Sequence, residues 1–594
     1  MTPRSETGSP APIPTAASAP APTAAPALAH ALAADLAADL AALRSGAERW
    51  VRLPLAAKRA LLREVRAATL DAAPDWVAAA CRVKGIPLDS PTAGEEWSSG
   101  PFAVIGATTA LEATLDALER HAEPLPERRV RRVQGGRLAI RAFPLLPKDA
   151  VLIGYRAEVW LRPGIGLDEA RAGVARALRD PERTPRVTLV LGAGNITGIP
   201  ALDVLTALYQ EASAAIVKLN PVNAAVGEAM RAAFAPFIDA DLLRIVEGDH
   251  ELGAALIAAP EVDAVHITGA RSTHDAIVWG PGEAGDARRA AGTALLTKPI
   301  TSELGGVGPA IIVPDAKPWS SAEITEVARA LATQRLHNSG FNCIATQVVV
   351  LPAAWPQADA LVAALRGQLA AAPVRPAYYP GAADRLRAAV AGHPDALSLG
   401  GDPGAPRTLV DHLTSDDADE PLYTTEVFGP VLGVVRLPGS AEPAAFLDAA
   451  VAFANDSLAG TLGAGLVVHP RTERLLGPAL ETAIAALHYG TVGVNSWVGP
   501  IFGMPAATWG AFPGHTLDDV GSGIGIVHNA LLLDPKHVER TVGYGPWRAR
   551  PTPLWDVRNA TAHRTAEALT RFAGRDDLTA LPAGLATITR YLRG

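Results

Sequence analysis

The feature that most constrains this chain is an alternation that begins after Pro181 and Pro185. Apolar runs at 187–191, 215–219, 242–246 and 262–268 are separated by helical stretches from about Ile199 to Ala212, through Met230 and Phe234, and around Leu256. Short apolar strands spaced by helices predict a parallel sheet, because right-handed crossovers lay helices over both of its faces. This is the architecture of nucleotide-binding domains. A second alternation starts at 308–313 and continues through a helix at about 322–337 and strands at 347–351, 431–437 and 465–469. It closes at 492–495. Two such α/β domains side by side leave a cleft, and ligands bind in clefts between domains and at strand ends.

The flanks read differently. From about 29 to 125 apolar residues recur at helical spacing, as in Leu36, Leu40 and Leu43 and again in Leu61, Leu62, Val65 and Leu70. Val130, Val133, Leu138 and Ile140, then Val151, Ile153, Val159 and Leu161, predict paired strands joined by Gly135-Gly136 and by a proline-bearing loop. A hairpin of that length, about 130–162, is expected to pack against another subunit. Residues 1–28 are rich in Ala and Pro, and the prolines break any signal-peptide core, so a disordered tail is expected there. The expected divisions are 1–28 as the tail, 29–302 as N-terminal helices with a dinucleotide-binding domain, 303–495 as a catalytic domain, and 496–594 as a return segment with a C-terminal extension.

Composition excludes several classes of function. Hydrophobic residues make up 49% and charged residues 19% of 594, which suits a folded chain. The net charge of -8, with no basic block beyond Arg128, Arg129, Arg131 and Arg132, argues against nucleic acid. No run of 18 apolar residues occurs, so no membrane span is expected. Cys81 and Cys343 are the two cysteines, too few for a disulfide framework, and a reducing, cytoplasmic setting is expected.

Gly192, Gly194 and Gly198 follow a strand as a dinucleotide turn would, but the spacing is one residue too long for G-x-G-x-x-G, and a tight strand-to-helix turn explains them equally. The run His266-Ile267-Thr268-Gly269-Ala270 is a second candidate phosphate cradle at a helix N-terminus. Cys343 lies in Asn338-Ser339-Gly340-Phe341-Asn342-Cys343, between a predicted helix and a strand. Turn amides aimed at its sulfur would lower the thiol pKa. A reactive cysteine also needs a base and an oxyanion donor. Glu303 and Asn195 are candidates, though spacing alone does not select them, and a lone cysteine reads equally as a buried small hydrophobe.

Several segments, taken in order, resemble the aldehyde dehydrogenase superfamily. Glu303-Leu304-Gly305-Gly306 looks like its E-L-G-G motif, residues 340–345 like its G-Q-x-C motif, and Glu426-Val427-Phe428-Gly429-Pro430 like E-[IV]-F-G-P. Gly490-Thr491-Val492-Gly493-Val494-Asn495 is similar to G-x-[VI]-x-[VI]-N, Val217-Lys218 ends a strand as the family's cofactor lysine does, and Asn195 falls where that family keeps its oxyanion asparagine. The resemblance covers roughly residues 187 to 530. Departures mark a divergent member: Ala193-Gly194 stands for Pro-Trp, Phe341 for Gln, Val307 for Lys, Pro221 for a glutamate after the cofactor lysine, and Ala270 for a hydroxyl residue.

The resemblance implies two doubly wound parallel-sheet α/β domains, one for cofactor and one for catalysis, with a small oligomerisation hairpin. It implies oxidation of an aldehyde to an acid with NAD or NADP, with Cys343 as nucleophile, Glu303 as general base, Asn195 as oxyanion donor, and Lys218, Gly269, Leu304, Glu426 and Phe428 at the cofactor. The implied partners are a small-molecule aldehyde and further copies of the chain in a homo-oligomer, through the hairpin and the stretch from 545 to 594. No metal is expected. Two alternatives stay open: a CoA-linked acylating dehydrogenase of the same fold, against which Glu303 counts, and a catalytically silent scaffold.

Overall fold

The computed structural model describes residues 25–575. Residues 1–24 of the expected tail and the last part of the C-terminal extension lie outside the described residues, whereas 25–28 already belong to the first helix. Four helices open the chain: α1 (Ala25–Arg52), α2 (Leu55–Lys84), α3 (Ala93–Ser99) and α4 (Pro101–Glu119). Three strands follow, β1 (Val130–Arg132), β2 (Leu138–Phe143) and β3 (Arg156–Leu161). None of the described helices is long and apolar enough to cross a membrane.

The first alternation is a six-stranded sheet made of β4 (Val187–Leu191), β5 (Ala214–Lys218), β6 (Leu243–Val246), β7 (Ala264–Gly269) and β8 (Ile300–Leu304), with a short antiparallel strand added from far along the chain. The parallel order is β8-β7-β4-β5-β6, so the chain leaves β4 toward β5 on one side and returns to β7 on the other. The crevice at that reversal, beyond the carboxyl ends of the strands, is where such sheets bind ligands. The sheet is fixed to the N-terminal helices by directed hydrogen bonds: Trp50 Nε1 donates to Leu208 O at 3.0 Å, Tyr209 Oη to Lys58 O at 2.8 Å, and Trp76 Nε1 to Thr197 Oγ1 at 3.0 Å. The last of these holds the loop that carries Asn195.

The second alternation supplies β9 (Gly308–Ile312), β10 (Thr346–Pro352), β11 (Leu397–Asp402), β12 (Ala405–Leu413), β13 (Val431–Leu437), β14 (Gly463–Val467) and β15 (Thr491–Val494). β16 (Gly523–Ile524) returns to pair with Glu303 and Ser302 on β8, and β17 (Val538–Tyr544) pairs parallel with β15. The expected boundary at 303 therefore falls inside β8: Glu303 stands on a strand of the smaller sheet and faces the larger domain.

The hairpin departs from expectation. β3 pairs antiparallel with β17 of its own chain, from Leu161 opposite Val538 to Arg156 opposite Tyr544, so β1, β2 and β3 extend the larger sheet to eleven strands. β3 is thereby paired on both sides within the chain, and β1 is left as the end strand of the sheet. Val151 also lies outside the strands, at the end of the short helix Pro147–Val151. The C-terminal extension folds back as well, and its helix Ala562–Ala573 seats on α3 so closely that a Cβ at Gly94 would overlap the Ala562 carbonyl.

Candidate active site

Cys343 sits where the helix Ser321–Leu336 gives way to β10. That helix starts on a reciprocal cap, Ser320 with Glu323, and ends in a turn in which Asn338, Ser339 and Gly340 all have left-handed backbones, with φ of 50°, 58° and 83°. Side chains other than glycine rarely adopt this region, asparagine excepted, so the turn persists only because its surroundings impose it. A Cβ at Gly340 would overlap the Gly429 carbonyl, and this close approach presses the cysteine loop against the Glu426–Pro430 loop. The buried Arg335 guanidinium ties the two together by donating to Gly340 O at 3.2 Å, Thr346 O at 3.2 Å and Gly429 O. Gln347 adds a second tie, donating to Thr425 O at 2.8 Å and accepting from Val427 N at 2.9 Å.

Behind the turn lies a buried charged cluster. Asn338 Nδ2 donates to Asn195 O at 3.2 Å and Phe341 O at 3.0 Å, and its Oδ1 accepts from Lys84 Nζ at 3.0 Å and Tyr378 Oη at 3.1 Å. Lys84 also pairs with Glu96 at 2.8 Å, and Glu95 pairs with Arg375 at 2.6 Å while accepting from Asn338 N at 2.9 Å. Burial disfavours charge on Lys84, but Glu96 beside it holds the ammonium above its ordinary range; burial likewise works against Glu95, which Arg375 holds below the usual carboxylate range.

Cys343 and Glu303 meet, and Asn195 shares the lining of one cleft with Cys343. The Cys343 thiol donates to Glu303 Oε1 at 3.2 Å, and Trp509 Nε1 donates to the same oxygen at 3.0 Å. Asn195 Nδ2 donates to Phe341 O at 2.9 Å, which leaves its second N–H for another acceptor. Burial pushes Glu303 up to about 7, against the pull of Trp509 and the thiol. Burial, then Glu303 and Glu426, push the Cys343 thiol well above its ordinary value. This reverses the expectation drawn from turn amides alone, since desolvation and two carboxylates outweigh them.

The residues expected at the cofactor fall into two groups. Lys218 and Gly269 end β5 and β7 at the carboxyl edge of the smaller sheet. Burial lowers Lys218, with Asp249 opposing. A Cβ at Gly269 would make only ordinary contacts, and the helix Arg271–Trp279 begins just beyond it. Glu426 lies over Gly305, where an added Cβ would overlap both carboxylate oxygens, and its Oε1 finds no protein partner among the described residues. Burial and the nearby Glu303 push Glu426 up to about 8. Phe428 joins an aromatic group, its ring centroid 4.9 Å from Tyr379 and 5.8 Å from Phe341. Leu304 is fully buried, and its N–H donates to Ser522 O at 2.8 Å, so its side chain serves the core. The early glycines prove to be packing devices, because a Cβ at Gly194 would strike Asn220 and one at Gly198 would overlap Ser99 O.

Cys343 and Asn195 also line a largely apolar open cleft, whose lining does not include Glu426. Sequence reasoning missed Trp509, Arg335, Gln347 and the Lys84–Glu96–Asn338 cluster. Only Asn338, as an Asn two residues before a glycine, carried a local signal of left-handed backbone.

A sequence model described as the aldehyde dehydrogenase family matches residues 200–382. Geranial dehydrogenase of Castellaniella defragrans is 29% identical over 277 residues, 43% of this chain and 49% of that protein. Succinate-semialdehyde dehydrogenase [NADP(+)] of Mycolicibacterium paratuberculosis is 32% identical over 185 residues, 28% of this chain and 35% of that protein. The matches thus span about half or less of these relatives. Among solved structures, aldehyde dehydrogenase C of Pseudomonas syringae, in complex with NAD+ and octanal, superposes with a TM-score of 0.55 at 18% identity over 86% of this chain and 88% of that one. The aldehyde dehydrogenase KauB of Pseudomonas aeruginosa gives 0.56 at 17% identity over 86% and 89%. The chain thus has the fold of these aldehyde dehydrogenase structures, and residues 200–382 match the sequence model of that family.

Proposed function

We propose that the chain oxidises an aldehyde to a carboxylic acid with NAD or NADP, through a covalent adduct on Cys343. The observation that carries this reading is the hydrogen bond from the Cys343 thiol to Glu303 Oε1 at 3.2 Å, with Cys343 and Asn195 together in the lining of an open cleft. The relatives' names support it, since one acts on geranial and another on succinate semialdehyde with NADP.

The thiol proton passes to Glu303, and the thiolate forms a C–S bond to the aldehyde carbon while the carbonyl oxygen takes up negative charge. The free N–H of Asn195 and the Cys343 backbone N–H would hold that oxyanion, and each such donor contributes about 3–4 kcal/mol in comparable sites. NAD or NADP, which Glu426 and Lys218 would hold, would supply the hydride acceptor, and loss of the hydride would leave the acyl group on Cys343 as a thioester. Glu303, having lost its proton to solvent, then takes one from water that attacks the thioester, and the thiolate leaves. Aldehyde, NAD(P)+ and water thus give carboxylate, NAD(P)H and two protons.

The chain's residues fit that cofactor. A half-buried carboxylate over a glycine, with an oxygen lacking a protein partner among the described residues, suits sugar hydroxyls, and Lys218 at a strand end suits the second ribose or a phosphate on it. An aldehyde panel assayed with NAD and NADP, each with and without CoA, tests the reading, together with Cys343→Ala. Turnover without CoA that vanishes in the variant is expected. Turnover of the variant within about tenfold of the parent would overturn it, since loss of a covalent nucleophile costs far more.

A further inference from the structure

We infer that the aldehyde this site accepts carries a long, uncharged apolar chain, and that the C-terminal helix Ala562–Ala573 is the wall that selects it. The inference rests on the proposed aldehyde oxidation at Cys343 and deepens it.

The cleft in front of Cys343 is walled by Phe102, Ile199, Trp497, Leu554 and Leu569. Its charged side chains are already paired within the protein, while Tyr155, Asn195 and Thr565 offer only neutral polar groups. Glu95 is held by Arg375 and Asn338 N, and His337 Nδ1 meets Asn342 Nδ2 at 3.3 Å. The hydroxyls of Ser98 and Ser99 donate back to Gly94 O at 2.8 Å and Glu95 O at 2.7 Å, and Arg550 donates to both Glu326 oxygens, at 2.7 and 2.6 Å. Thr565 adds a hydroxyl but no charge. Among the described residues of the lining, then, no cation is left to neutralise a second anion on the substrate, and burying one unpaired is prohibitive. Apolar walls instead favour each methylene that leaves water.

The C-terminal helix is built to stay in place as that wall. Its Thr565 and Leu569 line the cleft, Ala562 abuts Gly94 of α3, and Lys148 Nζ donates to the last-turn carbonyl of Ala573 at 2.9 Å. Beyond Leu569 the space continues. A second cavity shares Phe102, Leu152, Gly503 and Leu569 with the first and is lined mainly by apolar residues, with Glu123, Arg128, Arg129, Lys148 and Asp149 also in its lining, so a chain that outgrows the inner cleft has further space beside it.

The test uses the full chain with straight-chain aldehydes from propanal to decanal and with succinic semialdehyde. Specificity, kcat/KM, is expected to rise about fourfold per added methylene over several carbons, and decanal is expected to exceed succinic semialdehyde by at least about a hundredfold. A flat or falling length profile, or preference for the anionic aldehyde, overturns the inference while leaving the proposed oxidation standing. Failure to oxidise any aldehyde of the series overturns both. Leu569→Trp and, packed against the same cluster, Leu554→Trp fill the space, and each is expected to lower the decanal-to-propanal ratio of kcat/KM about tenfold or more. Circular dichroism and thermal unfolding identify which variant is folded. An unchanged ratio in a folded Leu569→Trp variant removes the helix from the selectivity role.

Discussion

The Cys343 thiol points its proton at Glu303 Oε1, 3.2 Å away, and that carboxylate has a pKa of about 7 while the thiol lies well above its ordinary value. The two groups are thus matched as acid and base: the thiol rarely ionises alone, and the carboxylate beside it is half ionised near neutrality. In the proposed mechanism Glu303 acts twice, first on the thiol and then on water.

A base that must be ionised gives a rising pH limb. Below about 7 Glu303 is protonated and cannot accept the thiol proton; above it, the carboxylate is available, so kcat/KM is expected to climb with an apparent pKa near 7. In Glu303→Gln the limb near 7 disappears, and the first-turnover burst of NAD(P)H slows about 10²–10⁴-fold at neutral pH, recovering only as the pH approaches the thiol's own range. Rapid mixing measures both. An undiminished burst at neutral pH followed by slow turnover would confine Glu303 to the hydrolytic step.

Trp509 sets where that limb lies. Its indole N–H stabilises the ionised form of Glu303 from 3.0 Å. Replacing it by Phe removes the donor and raises the Glu303 pKa, so the limb moves to higher pH. A hydrogen bond to a charged group contributes about 1.5–3 kcal/mol, which corresponds to about one to two pH units. A limb that stays put in Trp509→Phe would show that the indole does not tune the base.

Local pattern carried most of this fold. The strands at 187–191 and 431–437 lie where apolar runs placed them, and β10 differs from its expected range by one residue at each end, because buried parallel strands are written as continuous β-branched runs. The partners of the chemistry were less legible. Trp509 lies 206 residues from Glu303, and Lys84 lies 254 from Asn338; neither belongs to a periodic segment that announces its partner. The pairing of β3 with β17 was hidden for the same reason, since a strand's sequence does not say whether its neighbour belongs to its own chain or another. Cys343 and Glu303 were recognised only because short motifs travel with them.

Glu303 and Glu426 also make folding sensitive to pH. Both carboxyls rise from 4.5, to about 7 and about 8, so between those values the folded chain keeps protons that the unfolded chain has released. Stability from this source is full below about 4.5 and is lost as the pH rises through 7 and 8. Chemical denaturation of the cofactor-free chain from pH 5 to 9 should therefore show a falling midpoint, with a shallower fall in Glu426→Gln. Equal slopes in parent and variant would mean that Glu426 ionises freely in the folded chain.

The final prediction separates backbone from side chain at Asn338. With φ of 50°, this residue holds a conformation that costs Ala about 1–2 kcal/mol and Gly nothing comparable. Its side chain meanwhile joins Asn195 O, Phe341 O, Lys84 and Tyr378. Asn338→Gly removes those bonds alone, whereas Asn338→Ala removes them and adds the strain, so the glycine variant is expected to melt at the higher temperature. Both leave the Asn195 and Phe341 carbonyls without their common anchor. The Asn195 amide and the Cys343 loop then keep only the direct Asn195 Nδ2–Phe341 O bond between them, and kcat should fall about tenfold or more with a smaller change in KM, the signature of a group that positions the transition state and does not hold the substrate. Equal melting of the two variants would show that the turn is not strained, and full kcat in a folded variant would show that Asn338 supports the loop without setting the geometry of the reaction.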